Sequence, residues 1–339
     1  MKIKRVRLPA QIRSLQIIES SLGPLIDHFE KIELDFRWCK FAEPFPLLYL
    51  SARLNKLRHS GVDIKTILPE RGGNQFLGYA SHVGFFDLIG QEIGRRVGEA
   101  YGSSSYFPIM QWSIDDVRRQ AGDRPVAEKI DELAASMAKV LMQADTGDVF
   151  DVVKFSIREI VRNSFEHSRG KNCTFLGQYW PTRGEAEIVS LDDGIGIAET
   201  LWDNEYINAS NNLAAIKLSL FPGVTGVSRS ERSSQDYYWG NSGFGLYLLS
   251  NLFGDFGEFR IISNNDCLTL SNGKQYHRKV PFDGTGVALR FPVDQLGAAA
   301  ARFPYLIEKG EKLRSELLRD FPIQASTASK MLRNDFSRD

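Results

Sequence analysis

Residues Glu159 to Ser168 read EIVRNSFEHS, and with the segments that follow it this stretch points to the fold. Glu159, Asn163 and His167 recur four apart, so on a helix they fall on roughly one face. Val153, Ile157, Ile160, Val161 and Phe165 fill the opposite face, and the stretch alone predicts an amphipathic helix with a solvated polar side. Three further segments follow it: LDDGIGI at 191–197, GNSGFGLYL at 240–248 and DGTGVALRF at 283–291. The order is therefore a carboxylate and an amide on a helix, a strand ending in acidic residues and two glycines, and a glycine-rich turn opening into an apolar helix. A late strand preceded by Gly-Thr closes the series.

These four segments in this order resemble the GHKL superfamily of ATP-binding proteins, which includes gyrase B, the large heat-shock chaperones, MutL and the histidine kinases. In its terms EIVRN is the N box, DDGIG the G1 box and GNSGFGL the G2 box, and the resemblance covers roughly residues 125–295. It implies an α/β sandwich that binds ATP with Mg²⁺. Asp192 matches the adenine-binding aspartate, since a buried carboxylate can accept one hydrogen bond from the adenine amino group. Gly194 and Gly196 would let the backbone pass close to the base, and Thr285 matches the threonine that supports adenine from the neighbouring strand. Gly240, Gly243 and Gly245, with Phe244 and Leu246 between and after them, match the triphosphate cradle, where backbone N–H groups converge at a helix N-terminus. No Gly-Lys-Ser/Thr follows, so the loop is not a Walker A motif.

Asn163 matches the amide that ligates Mg²⁺, an ion that takes oxygen ligands and keeps several waters. Glu159 matches the carboxylate that orients and deprotonates the attacking water. Arg158 and Arg162 are assigned to pairing with acidic neighbours, and Asp193 is given no role. His167 is read equally as a phosphate contact and as a surface histidine. The segment 205–239 corresponds to the ATP lid and is expected to order over the triphosphate, with Lys217, Arg229 and Arg232 read as solvated charges or phosphate contacts.

Lys plus Arg and Asp plus Glu number 42 each, so no bulk charge points to nucleic acid. The scattered cysteines 39, 173 and 267 suggest neither a disulfide framework nor a metal site, and a reducing cytoplasm is the expected compartment. The start, MKIKRVRLPAQIRSLQ, lacks an apolar run of signal-peptide length, and no stretch of about eighteen apolar residues predicts a membrane span.

The N-terminal pattern is strand, helix, strand, helix: IELDF, the amphipathic LLYLSARLNKLRHSG closed by Gly61, VDIKTILP, and QFLGYASHVGFFDLIG. Its rhythm resembles a STAS domain, the fold of anti-anti-sigma factors. Between Arg37 and Leu50 the only hydroxyl is that of Tyr49, so the Ser or Thr phosphoacceptor of many STAS domains is missing. Residues 99–124 are expected to form a connector. Helices are predicted over RPVAEKIDELAASMAKVLMQ, 149–168 and 295–319, and strands over CTFLGQYW, EAEIVSL, 257–263, 275–280 and 286–292. The fold class is thus α/β: a small STAS-like α/β domain over 1–110, a GHKL sandwich over 111–320 and a tail over 321–339.

Three functions fit these residues. The first is a Mg-dependent ATPase acting as a conformational switch, signalling through the N-terminal domain to a protein partner or within a homodimer. The second is a serine/threonine kinase of the anti-sigma type. The third is a nucleotide-sensing interaction module without turnover. A histidine kinase proper is disfavoured, because no dimerisation helix with a phosphoacceptor histidine precedes the ATP domain.

Overall fold

The computed structural model describes residues 2–23, 29–69, 74–166, 170, 172–202, 209–226 and 243–317. The chain is a mixed α/β protein of two domains. The first is built from β1 (Ile3–Arg7), β2 (Gln11–Ile12), α1 (Leu15–Leu22), β3 (Lys31–Asp35), β4 (Phe41–Ala42), α2 (Pro44–His59), β5 (Asp63–Ile67), α3 (Gln75–His82) and α4 (Phe85–Leu88). Strands β1, β3 and β5 form a parallel sheet in that order, with helices as the crossovers that parallel pairing demands. Ser14 caps α1 by accepting from the Ile17 amide, and Pro44 opens α2 where a missing N–H costs nothing. The single helix expected over QFLGYASHVGFFDLIG is two helices, because Gly84 takes a left-handed conformation between them (φ 88°).

The second domain runs through β6 (Tyr106–Trp112), α5 (Ile114–Ala121), α6 (Val126–Met142), α7 (Asp148–Glu166), β7 (Cys173–Trp180), β8 (Glu185–Asp192), α8 (Ile197–Trp202) and α9 (Asn212–Ser219). It continues with α10 (Gly245–Phe256), β9 (Glu258–Ser263), β10 (Asp266–Ser271), β11 (Lys274–Lys279), β12 (Thr285–Pro292), α11 (Leu296–Ala301) and α12 (Phe303–Leu317). Its seven strands make one antiparallel sheet in the order β11-β10-β9-β12-β8-β7-β6. The exposed edge strand β11 carries Lys274, Arg278 and Lys279, charges that discourage pairing with another chain.

Three expectations are corrected here. The connector over 99–124 instead supplies the edge strand β6, which spans the expected boundary at 110/111, and the helix α5. A reciprocal Ser113–Asp116 capping box fixes the start of α5. An unanticipated strand, β10, lies between β9 and β11 in the sheet, and the helix expected over 295–319 is interrupted at Arg302.

Both faces of the central strands β7, β8, β12 and β9 are buried, and the period of two along each strand divides them. Phe175, Ile188, Phe259, Ile261, Val287 and Leu289 face a core shared with α6, α7 and α10. Their neighbours Leu176, Val189, Ile262 and Ala288 face a second core made with the N-terminal domain. Helix α2 lies across β7 and β8 on that second face. This explains why α2 is not the amphipathic helix expected from its sequence: every residue from Pro44 to Ser51 is buried. Ion pairs mark the junction, where Arg290 of β12 bridges the buried Glu43 at the start of α2 and the half-buried Glu185 of β8, each at 2.9 Å. Glu187 of β8 is wholly buried beside them, 3.9 Å from Arg260. Among the described residues no helix is long and apolar enough to cross a membrane.

Candidate functional site

Helix α7 buries the apolar face expected of it, with Val153, Ile157, Ile160 and Val161 in the core. Its polar face is not solvated as expected. Glu159 is only 8% exposed, because the N-terminal turn of α10 packs over it. A Cβ at Gly245 would come within 2.5 Å of Glu159 Oε2, so the absence of a side chain there leaves the carboxylate its place. The other oxygen, Oε1, faces Arg158 Nη2 at 3.2 Å and Arg162 Nη1 at 3.5 Å. Both arginines are buried, and the Arg158 guanidinium also lies 4.9 Å over the Phe155 ring. A carboxylate taken out of water requires such pairing.

Asp192 ends β8, and the antiparallel register that sets Gly286 opposite Leu191 brings Thr285 of β12 beside it. Asp192 Oδ1 accepts from the Gly194 amide at 2.9 Å and from the Thr285 amide at 3.0 Å. Burial pushes the Asp192 carboxyl up to about 7, against the downward pull of those two donors. Gly284 (φ 93°) lets the chain pass close by, for a Cβ there would lie 2.2 Å from the Asp192 carbonyl oxygen. Gly196 abuts Asn264, whose amide donates to the Ile195 carbonyl at 3.0 Å, so this glycine shapes the loop from behind. Asp193 is exposed and binds Asn172.

The third component is the meeting of Gly243 with the turn after α9. The Gly223 amide donates to the Gly243 carbonyl at 2.9 Å, and a Cβ at Gly243 would lie 2.7 Å from the Gly223 carbonyl carbon. Helix α10 begins two residues later, presenting its electropositive end and unpaired first-turn amides.

These components enclose one cavity of about 740 Å³, counting the open space at its mouth. Asn163, Asp192, Gly243, Gly245, Leu246 and Thr285 all line it. The buried Asn163 Nδ2 has no hydrogen-bond partner among the described residues. An amide whose O and N are interchangeable by a flip is thus left available to the cavity. Gly194 acts through its bond to Asp192, while Phe244 is fully buried against Tyr247 and belongs to the core. Glu159 sits beneath Gly245 rather than in the wall. Gly240, His167, Arg229 and Arg232 lie outside the described residues, and Lys217 is exposed on α9 away from the lining.

Sequence reasoning missed several parts of the wall, among them Thr200 and Leu201 of α8. Ser164, next to Asn163, hydrogen-bonds Ser190 at 3.1 Å behind Asp192. Val224, Thr225 and Gly226 close the opposite side, within the segment that the resemblance assigns to the lid. Within that segment α9 is a regular helix, capped by Asn211 and anchored through Ala215 and Ile216. The Asn-x-x spacing and the FPG turn were the signals available for it.

The donor set fits the groups that the sequence motifs imply: an amide oxygen for Mg²⁺, a buried carboxylate acceptor for a base, and glycines that leave backbone N–H groups open to phosphate. No family model matches the sequence, and no curated protein matches it.

Proposed function

We propose that the chain is a Mg-dependent ATP-binding switch of the GHKL type. The observation that carries this reading is the convergence on one cavity of Asp192, Asn163, Thr285, Gly243 and Gly245, which come from four separate sequence segments. Asp192 would accept the amino proton of adenine, held in place by the Gly194 and Thr285 amides on Oδ1. Asn163 would offer its amide oxygen to Mg²⁺, and the backbone around Gly243 and Gly245 would receive the phosphates. Bound magnesium would supply positive charge against the triphosphate. Glu159 would take the proton of an attacking water through Oε2, the oxygen turned toward Gly245.

The N-terminal domain is the proposed receiver of the switch. Strand β8 ends in Asp192 and carries α2 across its face, so a shift at the cavity reaches that domain through one rigid strand. Three free buried thiols support a reducing compartment such as the cytoplasm.

One observation favours the reading without turnover. Oε1 of Glu159 is engaged by two buried arginines, which restrains the carboxylate that would have to move with a proton. Incubation of the purified chain with γ-labelled ATP and Mg²⁺ separates the outcomes. Free phosphate is the result expected for the switch, labelled protein would mean a kinase, and retained intact ATP would mean a sensor. No binding in filter retention would end the ATP reading.

A further inference from the structure

Helix α12 follows the last strand of the sheet and carries none of the ATP-binding motifs, yet it touches, at two points one turn apart, the elements that carry the cavity wall. At Gly310 it meets the first turn of α10: a Cβ there would lie 2.6 Å from Tyr247 Cε1 and 2.9 Å from Phe244 Cε1. At Arg314 it reaches under the turn that follows α9. Gly223 (φ 84°) has no room for a side chain because its Cβ would lie 2.2 Å from Arg314 Nε and 2.5 Å from Cδ. Positions i and i+4 share one helix face, so a single surface of α12 supports both the helix that begins at Gly245 and the turn that carries Gly223. The Tyr247 hydroxyl donates to the Leu306 carbonyl at 3.3 Å and fastens the same surface.

Arg314 is 2% exposed and ranks among the largest fully buried side chains. Arginine cannot shed its charge when buried, so it holds such a place only with partners that compensate it and in a fixed geometry. The position of this cation is informative. Gly223, which rests on its side chain, donates its amide to the Gly243 carbonyl, and Gly243 lines the cavity with Val224, Thr225 and Gly226. We infer that Arg314 is a positioning residue for the phosphate end of the cavity: it props the Phe221–Val224 turn and, through Gly223, fixes Gly243. The inference rests on the nucleotide reading for the identity of the ligand. The mechanical link from Arg314 to Gly243 stands on the contacts alone.

The full chain with Arg314→Met keeps a long apolar stem and loses the fork and charge, while Arg314→Lys keeps the charge. Hydrogen exchange should accelerate in the Met variant over 221–226 and 243–248 and remain unchanged in the central strands. ATP affinity should fall by about tenfold or more, while adenosine, which carries the base without phosphates, should change by less than about twofold. The Lys variant should recover part of the ATP affinity. Unchanged exchange at both peptides would overturn the inference, as would equal weakening of ATP and adenosine, which is what a general loss of structure gives. If the Met variant does not fold, Gly223→Ala drives a methyl into the guanidinium and should reproduce both the local exchange and the ATP-selective loss. Parental exchange and parental ATP affinity in that variant would overturn the inference. A parent chain that binds neither ATP nor adenosine would defeat the nucleotide reading, and exchange at the two peptides would still decide the link.

Discussion

Gly245 stands against the carboxylate of Glu159, so that a Cβ on the first residue of α10 would come within 2.5 Å of Oε2. Two sequence motifs 86 positions apart are therefore fitted to one another, the glycine of one making space for the acid of the other. Gly245→Ala should force the carboxylate away from α10 and strain its arginine pairing, at a cost of about 1–3 kcal/mol. Urea unfolding of the variant and parent measures this. An unchanged midpoint would show that the Glu159 side chain swings aside freely.

Asp192→Asn should weaken ATP binding by about tenfold or more, since Asn can present a donor where adenine also donates. Its Oδ1 can still accept from the Gly194 and Thr285 amides, so the fold should survive. Removing a carboxylate held up to about 7 by burial should also raise the melting temperature at pH 8. Calorimetric titration at parental affinity in a folded variant would take Asp192 out of the site.

Asn163→Ala should act on metal dependence more than on stability, because the buried Nδ2 makes no hydrogen bond among the described residues. ATP affinity measured with Mg²⁺ and with a chelator should differ in the parent and converge in the variant. A preserved Mg²⁺ effect would mean that the ion is held elsewhere.

Glu187 lies beneath the N-terminal domain, and burial pushes its carboxyl up to about 7 from an ordinary 4.5. Between those values the folded chain holds a proton that the unfolded chain has released. Its contribution is therefore fully present below about pH 4 and is lost as pH rises through 7. Glu187→Gln should leave stability near parental at pH 5 and raise it at pH 8 by on the order of 1–3 kcal/mol. Equal parent-to-variant differences at the two pH values would show that Glu187 does not titrate across this window.

The local elements of the second domain are legible because their periodicities are long. The repeat of Ile130, Leu133 and Met137 predicts α6, and the alternation in CTFLGQYW and EAEIVSL with a Pro-Thr-Arg-Gly turn predicts the β7–β8 hairpin. The short elements were missed where local signals compete. Strand β6 lies in a stretch rich in Ser, Gly and Pro, which reads as loop until its pairing with β7 is known. Strand β10 is a short run bounded by two asparagine turns, and it is held by neighbours on both sides.

By itself the sequence determined the α/β class, the helix bearing Glu159 and Asn163, and the glycines whose spacing marks the loops, because side-chain period and backbone freedom are local properties. Tertiary structure alone decided which polar residues would leave water. Glu159 looked solvated on its own helix and became buried because α10 covers it and two arginines neutralise it. Only the folded chain set Thr285 beside Asp192, laid α2 across the sheet and brought Arg314 under Gly223. Those relations join residues far apart in the chain, 93 positions in the case of Asp192 and Thr285, and no local pattern encodes which face meets which.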